Sequence, residues 1–293
     1  MKRILGTYRV RESHWVGDGF PVRTIFSYHE LGRELSPFLM LDHAGPTSFA
    51  PSDSQRGVGW HPHRGFETVT VVIDGEVEHE DSAGNSGRIG PGDVQWMTAG
   101  AGVLHTELHG RDYARRGGPF EMLQFWVNLP ARKKMMPPRY QTLMAADIPV
   151  VTLPGDSGEV RVIAGDFRGA RGPAQTVTPL DLLEVRLRAG RRLLPDLEDG
   201  HTAGLFVTRG EIRVNDQETV SGGDLIVLDR AGENALLSAD SDATLFLMSG
   251  LPLDEPISGY GPFVMNTADE IRQAISDMRS GRLGAVRPNP PPE

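Results

Sequence analysis

Apolar and polar residues alternate along most of this chain in short runs, each closed by a turn signal. Thr7-Tyr8-Arg9-Val10 alternates, Phe20-Pro21-Val22-Arg23-Thr24-Ile25 follows the turn Gly17-Asp18-Gly19, and Phe38-Leu39-Met40-Leu41-Asp42 is an apolar run fit for a buried strand. Glu67-Thr68-Val69-Thr70-Val71-Val72-Ile73 reads as a strand, because branched side chains suit a pleated, half-buried surface. Asp74-Gly75 turns the chain into Glu76-Val77-Glu78-His79-Glu80-Asp81, whose charges are expected outward, with His79 facing solvent. Pro91-Gly92-Asp93 leads into Val94-Gln95-Trp96-Met97, and the strong strand from Glu121 to Leu129 stops at Pro130. Short strands and turns at this spacing predict a β-barrel or jelly roll.

The second half repeats the first. Gly210-Glu211-Ile212 answers Gly75-Glu76-Val77, Gly222-Gly223-Asp224-Leu225 answers Pro91-Gly92-Asp93-Val94, and Ala231-Gly232 answers Ala99-Gly100. The expected layout is an N-terminal domain over 1–130, a linker over 131–145 that is basic, Pro-containing and Met-rich, and a C-terminal domain over 146–266. Thr267-Ala268-Asp269-Glu270 is a capping box, with Ile271, Ile275 and Met278 following at helical spacing. An amphipathic helix of about three turns is therefore expected within 267–284, ended by Gly281. Residues 285–293 form a Pro-rich tail, of which 288–292 are expected to be disordered.

Composition narrows the function classes. The 293 residues suit two ordinary domains or one large one, and Gly 35 and Pro 22 fit a turn-rich β protein. A net charge of -9 argues against a dedicated nucleic-acid binder. With no cysteine there is neither a disulfide framework nor a thiolate metal site. No apolar run reaches signal-peptide or membrane-span length, so the expectation is a soluble cytoplasmic protein, by default a monomer. Lys2, Lys133 and Lys134 are the only lysines among 30 basic residues, a bias read as coding composition rather than mechanism.

The chemistry concentrates between Trp60 and Glu107. His61 and His63 lie two residues apart, as do His105 and Glu107, and on a strand such pairs share one face. Two such strands would aim three imidazoles and a carboxylate at one point, a set that suits Fe(II), Mn(II), Ni(II), Cu(II) or Zn(II). Glu67, four residues after His63, is the alternative carboxylate; Glu107 is preferred because it shares a strand face with His105. Pro62 lacks a backbone donor, which places His61 and His63 on an edge or at a strand start. His14, His29, His43 and His201 stand without a partner ligand and read as surface or hydrogen-bonded residues, His43 being the one that could line a cavity. Met135 and Met136 read as packing. On the offsets between repeats, His61 and His63 fall on Asp196 and Glu198, and His105 and Glu107 on Leu237 and Ala239. The second domain is therefore expected to be metal-free.

The segments His61-Pro62-His63-Arg64-Gly65-Phe66-Glu67-Thr68-Val69-Thr70 and Pro91-Gly92-Asp93-Val94-Gln95-Trp96-Met97-Thr98-Ala99-Gly100 resemble signature segments of the pirin family, in the cupin superfamily. The resemblance continues through Leu104-His105-Thr106-Glu107, Gln124-Phe125-Trp126-Val127-Asn128-Leu129-Pro130 and Gly261-Pro262-Phe263-Val264-Met265-Asn266-Thr267, nearly the whole chain. It implies an all-β bicupin: two tandem double-stranded β-helix (jelly-roll) barrels with one metal in the N-terminal barrel. It also implies His61, His63, His105 and Glu107 as ligands, most simply of Fe(II), and quercetin 2,3-dioxygenase activity, the O2-dependent opening of a flavonol ring with release of carbon monoxide. Glu107 would then take the flavonol hydroxyl proton, and Arg64, Phe66, Met40 and Trp96 could line the pocket, core or surface roles being equally open to each. The alternative reading from the same resemblance is a redox- or ligand-sensing co-regulator that acts through a protein partner.

Overall fold

The computed structural model describes residues 1–285; the Pro-rich tail lies, from residue 286, outside the described residues. The chain is all-β with a C-terminal helix. It forms two compact units. One comprises Met1–Glu12, Arg23–Asp42 and Leu143–Asp254; the other comprises Ser13–Val22, His43–Thr142 and Glu255 onward.

The second of these units carries the candidate chemistry on six strands: β1 (Gly57–His63), β2 (Phe66–Asp74), β3 (Val77–Asp81), β4 (Val94–Thr98), β5 (Val103–His109) and β6 (Gly118–Asn128). A seven-stranded sheet runs in the order Arg139–Leu143, β4, β2, β6, Phe38–Phe49, Phe20–Ser27, His14–Val16. A four-stranded sheet runs β1, β5, β3, Ser86–Ile89. Val72 and Met122 of the first sheet share one apolar cluster with Val77 and Ile89 of the second, so the two sheets face each other across a common core. The other unit repeats the plan. Its seven strands run Ile4–Arg9, Asp224–Leu228, Thr202–Arg209, Ala243–Gly250, Leu180–Leu187, Gly158–Ala164, Val150–Thr152, and its four run Arg192–Leu193, Leu237–Ala239, Glu211–Val214, Glu218–Ser221.

These sheets correct the expectation of jelly-roll barrels. None closes on itself: each ends in two outer strands that do not pair with one another, so each unit is a pair of open sheets. Alternation fixes which residues face inward, but closure requires the outermost strands to meet, and no local pattern encodes that. The stretch expected as a linker, 131–145, carries a short 3-10 turn, Ala131–Lys133, and the strand Arg139–Leu143 that borders β4.

Helix α1 (Ala268–Arg279) starts at the capping box: the Thr267 hydroxyl accepts from the Glu270 N–H, and the Glu270 carboxylate accepts from the Thr267 N–H. It ends at Ser280, and Gly281 beyond it takes φ of +75°, a backbone state that favours glycine. Ile271 and Ala274 pack on Phe263 and Met265. Among the described residues no helix is long and apolar enough to cross a membrane.

Two of the three lysines are buried in cages of acceptors. Lys2 Nζ donates to the carbonyls of His201 (2.9 Å) and Arg230 (2.6 Å). Lys134 Nζ donates to Gly65 O (2.7 Å), Asn128 Oδ1 (2.6 Å) and Val264 O (2.8 Å). A compact ammonium can point three N–H bonds at acceptors that converge on one atom, whereas a planar guanidinium cannot. In an arginine-rich chain, that geometry accounts for lysine at these two positions.

Candidate metal centre

β1 is an edge strand, as Pro62 requires, and pairs antiparallel with β5. The register sets His105 directly opposite His61 and Val103 opposite His63. The ring centroids of His61 and His105 are 4.1 Å apart, and His63 lies 4.9 Å from each. One nitrogen from each of the three rings falls within 4.8 Å of the others. His63 and His105 are buried and His61 is half-buried, so the cluster opens at one side.

The outer ring nitrogens are already engaged. His61 Nδ1 is 2.8 Å from the Gly59 carbonyl and His63 Nδ1 is 3.3 Å from the Pro262 carbonyl. A carbonyl can only accept, so each Nδ1 carries the proton and each Nε2 keeps its lone pair. His105 Nε2 is buried and has no hydrogen-bond partner among the described residues. Burial, together with the neighbouring His61, pushes the His63 pKa down to about 3, and burial with the same neighbours holds His105 well below the usual imidazole range. His63 and His105 are therefore neutral, and the three converging imidazoles are a donor set that a divalent first-row metal takes.

Glu107 is close by but stands outside the 4.8 Å set. It is buried on β5, with Oε1 accepting from Thr70 Oγ1 (3.2 Å) and Gln95 Nε2 (3.2 Å), and Oε2 accepting from Gln124 Nε2 (2.9 Å). Glu67 goes elsewhere. On β2 it has the opposite parity to Thr70, so it points to the other face of the sheet, where Thr98 Oγ1 donates to it at 2.6 Å. Burial raises its pKa to about 7, the Thr98 hydroxyl opposing the shift. Trp96 shares that face by parity with Thr98 and is fully buried. Phe66 packs 5.0 Å from the His63 ring, and Met40 is half-buried on the strand Phe38–Phe49. Arg64 turns away from the histidines: its Nε donates to Ala101 O (2.6 Å) and its Nη1 pairs with Asp277 of α1 (2.9 Å), which anchors the helix to the residue after His63. Gly65 follows in a left-handed conformation where a Cβ would stand 2.1 Å from the Val264 carbonyl.

His79 was expected in solvent and is buried beside the cluster. Val77, His79 and Asp81 are the inward residues of β3, while Glu78 and Glu80 are more open. His79 Nε2 is 3.3 Å from Asp81 Oδ2, and its Nδ1 is 3.4 Å from His105 Nδ1 and 3.4 Å from Gln95 Nε2. The Tyr140 ring stacks on it at 4.6 Å, and the Tyr140 hydroxyl donates to Gln95 Oε1 (3.1 Å). The parity of β3 carried the signal: Val77 marks the inner face, and His79 shares it. His43, the lone histidine with a possible cavity role, is buried with Nε2 2.9 Å from Glu121.

The other unit shows what this fold holds without such a site. There Leu237 stands opposite Leu193, in the strands that match β5 and β1 by sheet order. This pairing moves the counterpart of β1 from Asp196 and Glu198 to Arg192–Leu193; Asp196 makes an isolated bridge with Asn234. Asp93 and Asp224 cap the same turn in the two units. Counted from them, Gln95, its pairing partner Thr70 and Gln124 on the far side of Thr70 correspond to Ile226, Leu205 and Leu247. All of these, with Ile212, Val214 and Ala239, belong to one apolar core. The fold does not require the polar set.

Comparison with known proteins agrees with this geometry. Residues 19–127 match the family model described as Pirin, and residues 182–284 match the Pirin C-terminal cupin domain. The chain belongs to the pirin family. A Pseudomonas aeruginosa relative, provisionally named a quercetin 2,3-dioxygenase, is 56% identical over 283 residues, 97% of this chain and 99% of its own. Human pirin is 35% identical over 276 residues, 92% of this chain and 90% of its own. The crystal structure of a quercetin 2,3-dioxygenase from Acinetobacter baumannii is 49% identical, with a TM-score of 0.95 over 98% of this chain and 100% of the other. The first pirin segment contains all three clustered histidines, Glu107 and the side chains that hold it.

Proposed function

We propose that this pirin-family bicupin is a metal-dependent dioxygenase of the quercetin 2,3-dioxygenase type, acting on a flavonol-like aromatic substrate and O2. The observation that carries it is the convergence of three imidazoles, two of them with Nδ1 tied to a backbone carbonyl and the third with a buried, unpartnered Nε2. The similarity to the Acinetobacter enzyme supports the reaction class. His61, His63 and His105 would hold the ion, with Glu107 as a fourth ligand; Fe(II) is our choice, and an imidazole and carboxylate set also accommodates Mn, Ni, Cu or Zn. The bound metal would supply Lewis acidity toward the substrate oxygen and a redox centre for O2.

This chain's residues would do the rest. Glu107 accepts the flavonol hydroxyl proton, and the Gln124 and Gln95 amides and the Thr70 hydroxyl fix the orientation of its carboxylate. Trp126, half-buried beside His63 and packed 4.3 Å from Phe66, offers an aromatic surface suited to a planar ring. Oxygen uptake with quercetin after anaerobic loading with Fe(II), with carbon monoxide measured in the headspace, tests the assignment. Neither uptake nor carbon monoxide from metal-loaded protein would reject it.

A further inference from the structure

The buried pair His79–Asp81 has no part in the chemistry described so far. Nothing in the fold demands it, since the corresponding sheet of the other unit turns Ile212 and Val214 into its core. Yet both side chains are almost completely buried, and Asp81 sits in a dense set of donors. It accepts from the N–H groups of Ala83 and Asn85 (2.9 Å each) and from the Asn85 side chain. Burial alone would raise its pKa, but the bonds from His79 and Asn85 outweigh it and hold the carboxyl below its usual range.

We propose that Asp81 and His79 form a positioning pair for the metal centre, fixing the tautomer and orientation of His105. It rests on the metal reading above. An ionised Asp81 can only accept, so its contact with His79 places that ring's proton on Nε2. His79 Nδ1 then presents a lone pair 3.4 Å from His105 Nδ1. Two lone pairs would repel there, so His105 carries its proton on Nδ1 and offers Nε2, the buried nitrogen without a partner, to the ion. Each candidate histidine ligand thus has its own outer acceptor: the Gly59 carbonyl for His61, the Pro262 carbonyl for His63 and the His79 ring for His105. Backbone carbonyls serve the two histidines on edge strand β1. His105 lies on the inner strand β5, flanked by β1 and β3, and its outer acceptor comes from a side chain of β3. Tyr140, stacked on the His79 ring, fixes that ring's plane. Partners of this kind set ligand geometry, and their loss weakens metal binding by about 10- to 100-fold.

The test uses Co(II) as the probe, with affinity measured by chelator competition and the d–d absorption spectrum recorded at saturation. His79→Phe retains the stack on Tyr140 and removes the acceptor. It is expected to bind Co(II) about 10- to 100-fold more weakly, with a shifted spectrum and an unchanged melting temperature of the metal-free protein. Asp81→Asn should move affinity and spectrum the same way by less. Wild-type affinity and spectrum in His79→Phe would overturn the proposal and leave the metal site standing. A wild-type protein that does not bind Co(II) would overturn the metal reading, and this proposal with it. Nitrogen-15 NMR of the metal-free wild-type protein decides the matter even if His79→Phe does not fold. The Nδ1–H tautomer of His105 with the Nε2–H tautomer of His79 supports the proposal, and the Nε2–H tautomer of His105 overturns it.

Discussion

His105 and His61 stand opposite one another across antiparallel strands, their ring centroids 4.1 Å apart. The same register brings His63, two residues from His61, within 4.9 Å of both. Three imidazole rings on two paired strands form a site that needs little rearrangement to take an ion. His63→Ala is expected to lower affinity for a divalent first-row metal by more than about 100-fold, beyond the range seen for outer-shell partners. Isothermal titration of the metal-free protein checks this, and affinity within tenfold of wild type would remove His63 from the ligand set.

Glu107 should be separable from the histidines. With its carboxylate held by Thr70, Gln95 and Gln124, Glu107→Gln preserves much of that hydrogen bonding and removes the proton acceptor. The expected outcome is a fall in kcat on quercetin of about 10²- to 10⁴-fold, with the histidines still retaining metal. Metal content and oxygen uptake measured on the same samples distinguish the roles: parallel loss of both would make Glu107 a ligand before it is a base.

Much of this was legible in the sequence, and the gaps have physical causes. The spacing of His61, His63, His105 and Glu107 announces a shared face because side-chain parity on a strand is local. Glu67 could not be set aside in this way, because its spacing from His61 and His63 is even; only the break in the strand at Arg64–Gly65 and its pairing with Thr98 show that it faces elsewhere. His79 was misplaced because a run of charges around it outweighed the parity marked by Val77. Tyr140 could not have been found, because it enters the site from a strand whose pairing with β4 is long-range. The open sheets were not legible either, because closure depends on which distant edges meet.

Glu67 gives a pH signature distinct from the metal site. Its folded pKa is near 7 against an ordinary value of 4.5. Between these values the folded chain holds a proton that the unfolded chain has released, so stability falls as pH rises through this window. Glu67→Gln cannot titrate there. The stability of wild type relative to Glu67→Gln, from urea melts of metal-free protein, is therefore expected to drop steadily from about pH 4.5 to pH 7 and then more gently. A flat difference would place the Glu67 pKa in its ordinary range.

The Lys134 cage predicts a stability effect. Burial presses its pKa down to about 7, yet three acceptors within 2.8 Å fit the three N–H bonds of the ammonium. Lys134→Met leaves those acceptors without this donor and is expected to cost on the order of 3 kcal/mol. Lys134→Arg should also destabilise, because a planar guanidinium cannot converge on the cage. Thermal melts of both variants check it; a Lys134→Arg protein as stable as wild type would contradict the cage.

The most direct measurement is oxygen consumption with quercetin by protein reconstituted anaerobically with Fe(II), and separately with Mn, Ni, Cu and Zn, in wild type and His105→Ala. The expected result is uptake supported by one or a few of these metals, Fe(II) foremost, and abolished in His105→Ala. Tight, His105-dependent metal binding with no oxygen uptake over a panel of phenolic substrates would contradict the dioxygenase and leave a metal-binding protein of another kind.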